Sequence, residues 1–125
     1  SHTISHRILT GLRNEEIIRE IRDSKDILES QLGQKINSFA YPVGTRADFD
    51  DAIVEIVKAH NYTCACSNVY GMNDENSDTF ALKRIGIETT DCFFLFKQKL
   101  DGTLNIMSFK DTKFFQQLKR IFFKL

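Results

Sequence analysis

The chain has 125 residues, of which 42% are hydrophobic, and its 17 basic and 17 acidic side chains cancel. That length supports one modest domain with a real core but is short for a complete barrel. The balanced charge gives no basic excess of the kind that nucleic-acid binders carry, so no nucleic-acid partner is expected. No uninterrupted apolar run is long enough to span a bilayer and no cleavable signal opens the chain, so any leader or anchor is expected upstream of Ser1.

In chain order, two imidazoles come first, His2 and His6, four positions apart. On a helical turn that spacing puts both rings on one face, where neutral ring nitrogens could grip one cation. Spacing alone favours two surface histidines that bind nothing, and zinc wants three protein ligands plus water or four ligands. Asn14 then reads as the cap of a helix whose first turn carries Glu15 and Glu16, with Ile17, Ile21, Leu28 and Leu32 on one stripe and Gly33 at its end. Residues 36–41 read as a buried strand that Pro42 terminates.

A second helix is expected from residues 48–51, burying Ile53, Val54 and Val57 and stopping around His60 and Asn61, with the next strand over residues 62–67. Three cysteines make no evident disulfide framework, and Cys64 and Cys66 would share one strand face as small apolar groups rather than build a zinc site. Residues 68–78 read as a polar surface loop bordering a cleft. Its Asp74, Asn76 and Asp78 imitate a calcium loop, but Thr79 and Ile85 stand where a Gly and a closing Glu are needed.

Residues 80–88 hold one more short strand, and the apolar run over 92–96 introduces a carboxyl-terminal extension. Asp111 can cap an amphipathic helix in which Phe114, Phe115, Leu118, Ile121, Phe122 and Leu125 form one arc. Packing against the domain is favoured for that helix over residence at an anionic membrane surface, which its Lys119, Arg120 and Lys124 would also suit. Helix and strand signals thus alternate, the organisation of an α/β domain with mainly parallel strands.

The succession His-Thr-x-x-His, long helix, apolar segment Phe39-Ala40-Tyr41-Pro42-Val43-Gly44 and second helix resembles the polysaccharide deacetylase family, carbohydrate esterase family four. The resemblance spans approximately residues 1–88 and implies part of a distorted (β/α) barrel, so that residues 1–90 form a partial deacetylase domain and residues 91–125, beyond the likeness, a helical extension packed on it. It further implies that a divalent metal, zinc by default, is held by His2 and His6, and that the Val43 backbone N–H serves as oxyanion donor. Tyr41, Pro42 and Gly44 would border the sugar, Gly44 by allowing its close approach. The implied partner is an N-acetylated polysaccharide or oligosaccharide, in a bacterial envelope or cytoplasm.

Three departures accompany this likeness. The Thr-Phe-Asp-Asp segment that supplies base and acidic ligand in family members has no counterpart here; Asp48, Asp50 and Asp51 sit at a helix start, where acids complement the dipole. Where members often read Arg-x-Pro-Tyr-Gly, this chain has Ala40 in the place of the Arg that would orient the base. Ile85 falls where the general-acid histidine would sit, while Arg84 and His60 read as structural residues. The expectation is therefore a deacetylase whose segment here is weak or inactive in isolation and able to self-associate through uncovered apolar surface. The alternative is a noncatalytic carbohydrate-binding or assembly module on the same scaffold.

Overall fold

Glu16 decides where the first long helix begins. Its carboxylate accepts the Arg13 backbone N–H at 3.1 Å, satisfying a donor that the helix itself leaves unpaired. In the computed structural model, which describes residues 1–103, α1 therefore runs Asn14–Leu32 with Arg13 as its cap, one residue earlier than the expected Asn14. Gly33 closes it in the left-handed conformation, donating its N–H to the Glu29 carbonyl at 2.9 Å. The apolar stripe is buried over Ile17 and Ile21, whereas Leu32 is exposed, so only the first half of α1 rides on the core. Ser24 takes the next buried place and donates its hydroxyl to the Ile21 carbonyl at 3.0 Å.

Three strands follow in the order β1 (Ser38–Ala40), β2 (Cys64–Tyr70), β3 (Leu82–Arg84), all parallel and hydrogen-bonded in sequence order. The helix between the first two, α2 (Asp51–Ala59), is capped by Asp50, whose carboxylate accepts the Ile53 N–H at 2.9 Å. β2 outlasts its expected end at Ser67 because Ala65, Ser67 and Val69 alternate inward through Tyr70. Cys64 and Cys66 lie on its other face as half-buried free thiols. A last helix, α3 (Phe93–Leu100), is tied back by Lys99, whose ammonium meets the Asp91 carboxylate at 2.5 Å and the Gly86 carbonyl at 2.9 Å. Phe93 and Phe94 on it remain exposed. The helix expected over 111–125 lies outside the described residues, and no described helix is long and apolar enough to cross a membrane.

The core gathers Leu9, from a short 3-10 turn over Leu9–Gly11, with Ile17, Ile21, Phe39, Tyr41, Ile53, Val57 and Tyr62. Burial of such side chains contributes about 1.5–3 kcal/mol each. Phe39 and Tyr41 meet edge to face at 5.4 Å, and the Tyr41 ring stacks on Phe49 at 4.2 Å.

One further pairing sets up the functional face. The Ser1 amino group donates to the Ser38 carbonyl at 2.9 Å, and the Ser1 carbonyl accepts from the Ala40 N–H, also at 2.9 Å. That is the parallel ladder pattern, with Ser1 beside Phe39 as a fourth strand position. Residues 2–8, 41–50, 71–81 and 85–92 consequently all leave the carboxyl ends of parallel strand positions, the side on which open and closed α/β sheets carry their sites.

Candidate metal centre

His2 follows directly on the Ser1 pairing, and its orientation is fixed by β1. The His2 Nδ1 lies 2.7 Å from the Ala40 carbonyl oxygen. A carbonyl can only accept, so Nδ1 carries the proton and a neutral ring presents its lone pair at Nε2. Metal-ligating histidines are oriented by this same kind of backbone contact.

His6 comes to His2 by a route other than the expected helical turn. Residues 1–8 contain no helix; the chain bends at Ile4 and Ser5, with Thr3 (φ 61°) and His6 (φ 57°) both left-handed. The two rings end edge to face with centroids 4.7 Å apart. The His6 N–H donates to the Thr3 hydroxyl at 3.1 Å, and Ile4 and Ser5 are gripped by Glu20 of α1. Four-residue spacing thus joins the rings through a tight loop rather than through helix periodicity.

The segment after β1 is equally constrained. Gly44 donates its N–H to the Pro42 carbonyl at 2.6 Å across Val43, a γ-turn whose central residue has φ 59°. For a β-branched residue that conformation is an outlier, and such strain collects at sites where surrounding structure over-determines it. Among the described residues, four non-glycine positions have positive φ: Thr3, His6 and Val43 here, and Asn61 at the end of α2. Val43 is exposed, and its backbone N–H has no acceptor among the described residues.

The other residues of this segment point inward. Tyr41 is fully buried and donates its hydroxyl to the Phe80 carbonyl at 2.9 Å; burial, and after it the charge of Asp78, pushes its phenol well above the usual range. Pro42 is buried beside it. Neither side chain faces a place where sugar could lie, so this turn offers a ligand only Val43 and backbone. Gly44 is packed against protein as well. Its carbonyl accepts the Asn68 N–H at 2.7 Å, and a Cβ on it would stand 2.9 Å from the Tyr41 oxygen and 3.0 Å from the Asn68 nitrogen. The close approach that glycine permits here is to β2.

The acidic residues near the turn are already engaged. Asp48 accepts the Thr45 N–H at 2.8 Å and the Thr45 hydroxyl at 2.6 Å, and Asp50 caps α2. Among the described residues, no third histidine, cysteine or carboxylate joins His2 and His6 in a metal-holding group. The pair itself fits a divalent cation, with two imidazoles in contact and one of them set in the ligating tautomer.

Beyond the turn, a polar groove of about 520 Å³ runs between Arg46, Asn73, Ser77 and Lys83. Asn73 mimics a strand partner there, bonding both the N–H and the carbonyl of Lys83 at 2.9 Å. Asp74 accepts the Asn76 N–H and the Ser77 hydroxyl, and Asp78 accepts the Phe80 N–H, so these carboxylates shape turns. Arg84 donates to the Ser67 carbonyl at 2.6 Å, and the His60 Nδ1 to the Ile56 carbonyl at 2.7 Å. Both act structurally, and His60 sits where α2 returns to the amino end of β2, across the sheet from the histidine pair.

The model of the family described as "Polysaccharide deacetylase" matches residues 1–65, and the chain belongs to that family. The Streptococcus pyogenes deacetylase PplD, solved in complex with acetate, superposes with a TM-score of 0.72 at 27% identity over 79% of this chain and 42% of its own. A Bacillus anthracis protein assigned to the polysaccharide deacetylases gives a TM-score of 0.66 at 27% identity, over 79% of this chain and 30% of its own. For a de-N-acetylase from Aggregatibacter actinomycetemcomitans the values are 0.57 and 19%, over 68% and 31%, a likeness of fold alone. The chain spans less than half the length of each of these structures. No curated protein sequence matches it. The open three-stranded parallel sheet is accordingly part of a deacetylase-type (β/α) barrel.

Proposed function

We propose that this chain carries the histidine half of a metal-dependent site that hydrolyses N-acetyl groups on a polysaccharide or oligosaccharide. The observation that carries this reading is the contact of the His2 and His6 rings at the carboxyl ends of parallel strands, with His2 Nε2 left free by the Ala40 carbonyl. Two imidazoles suit zinc, although cobalt, nickel and iron accept the same ligands. A cation bound there would polarise an amide carbonyl and acidify water at neutral pH.

The chain's own residues divide the remaining work. Ala40 orients His2, and Thr3 fixes the backbone of His6. Val43 offers an N–H without an acceptor among the described residues, on a strained, exposed turn, as a donor for charge developing on an acetyl oxygen. The polar groove beside Arg46 and Lys83 gives a saccharide room to lie along the same face. No described carboxylate groups with the two histidines, and Asp48 and Asp50 are held by Thr45 and Ile53, so an acidic ligand would come from residues other than the described ones. A second reading, a noncatalytic saccharide-binding module, is favoured by Ala40 standing where family members often carry Arg.

Acetate release from an N-acetylated chitooligosaccharide separates the two. With the polypeptide as the cell produces it, release is expected to stop on chelation and to return with added zinc. Saccharide binding that persists without any acetate release, at every metal loading, would instead establish the module.

A further inference from the structure

Glu20, on the middle of α1, meets the histidine loop with both carboxylate oxygens. Its Oε2 accepts the Ile4 N–H at 2.8 Å and the Ser5 N–H at 2.9 Å, while its Oε1 accepts the Ser5 hydroxyl at 2.5 Å. The donors therefore come from two of the three residues that separate His2 from His6. Thr3 and His6 on either side are left-handed, a conformation that a free chain of these residue types seldom adopts.

We propose that Glu20 is the positioning residue of the metal pair: its three hydrogen bonds hold the Ile4–Ser5 bend that brings the two imidazoles together. The inference rests on the metal reading of His2 and His6 given above. Glu20 acts through the loop and not as a ligand, because no described carboxylate groups with the two histidines. Nor does it serve α1 itself, which is held to the core by Ile17 and Ile21 and bounded by Glu16 and Gly33. Arg7, which follows His6, pairs with Glu16 at 3.2 Å.

Three substitutions in the polypeptide as the cell produces it test this, read by zinc affinity in competition with a chelator and by the nuclear Overhauser contact between the His2 and His6 rings without metal. Glu20→Ala should weaken zinc by about 10- to 100-fold, as loss of outer-sphere support typically does, and should abolish the ring contact. Glu20→Gln can still accept both N–H groups through its carbonyl oxygen and donate to the Ser5 hydroxyl, so it should stay within about threefold of wild type, well short of that range. Glu20→Asp keeps the charge but falls a methylene short, and should behave like alanine.

Wild-type behaviour of the alanine or aspartate variant would overturn the proposal, as would a glutamine variant as weak as alanine, which would make charge rather than hydrogen bonding the cause. If the unsubstituted protein binds no zinc, the metal reading fails by itself. The ring contact then decides the role of Glu20 alone: its loss in Glu20→Asp supports the inference and its persistence refutes it.

Discussion

Replacing either His2 or His6 with alanine is expected to lower zinc affinity by at least about two orders of magnitude, beyond the 10- to 100-fold that outer-sphere changes cost. The rings are in contact at 4.7 Å, and a site keeping only one of them retains a single imidazole among the described residues. Both side chains are exposed, so folding stability should move by no more than about 1.5 kcal/mol, the upper worth of the one hydrogen bond that His2 gives to Ala40. Calorimetric zinc titration beside a thermal melt separates the two effects. Undiminished zinc binding in both variants would place the cation elsewhere.

Gly44→Ala is expected to destabilise the fold by about 2–5 kcal/mol. Its φ of 72° costs an L-residue about 1–2 kcal/mol, and forcing a methyl group into packed surroundings costs about 1–3 kcal/mol more. The atoms in the way, the Tyr41 oxygen at 2.9 Å and the Asn68 nitrogen at 3.0 Å, are backbone and cannot swing aside. Urea unfolding measures the loss directly. A change below about 1 kcal/mol would mean that the turn shifts freely, and with it the left-handed backbone of Val43.

The alternation of helix and strand was legible because each element buries its own periodic apolar set: Ile17 and Ile21 on α1, Phe39 on β1, Ile53, Val54 and Val57 on α2. The ends were less so. β2 continues through the polar Asn68 because an exposed residue between inward-facing Ser67 and Val69 is normal alternation. Tyr41 carried a readable signal, standing two residues from buried Phe39 and hence on the same inward face. The aromatic in a binding-type motif is a core residue whose hydroxyl belongs to Phe80.

The histidine pair was legible as a pair and misread in its geometry. Nothing in Thr3 or His6 announces a left-handed backbone, which glycine would have signalled, so spacing alone pointed to a helical turn. The Glu20 contact is beyond periodicity altogether, since it joins residues 15 and 16 positions apart that only the docking of α1 brings together. The strain at Val43 is likewise a product of Gly44 locking onto Asn68, a contact between β1's exit and β2.

The most direct test of the metal site is to locate a bound divalent cation by anomalous diffraction from crystals of the zinc-loaded polypeptide as the cell produces it. One ion is expected, bonded to a ring nitrogen of both His2 and His6, at the carboxyl ends of the parallel strands and beside the Val43 turn. A zinc ion bound elsewhere, with the two rings intact and unliganded, would contradict it.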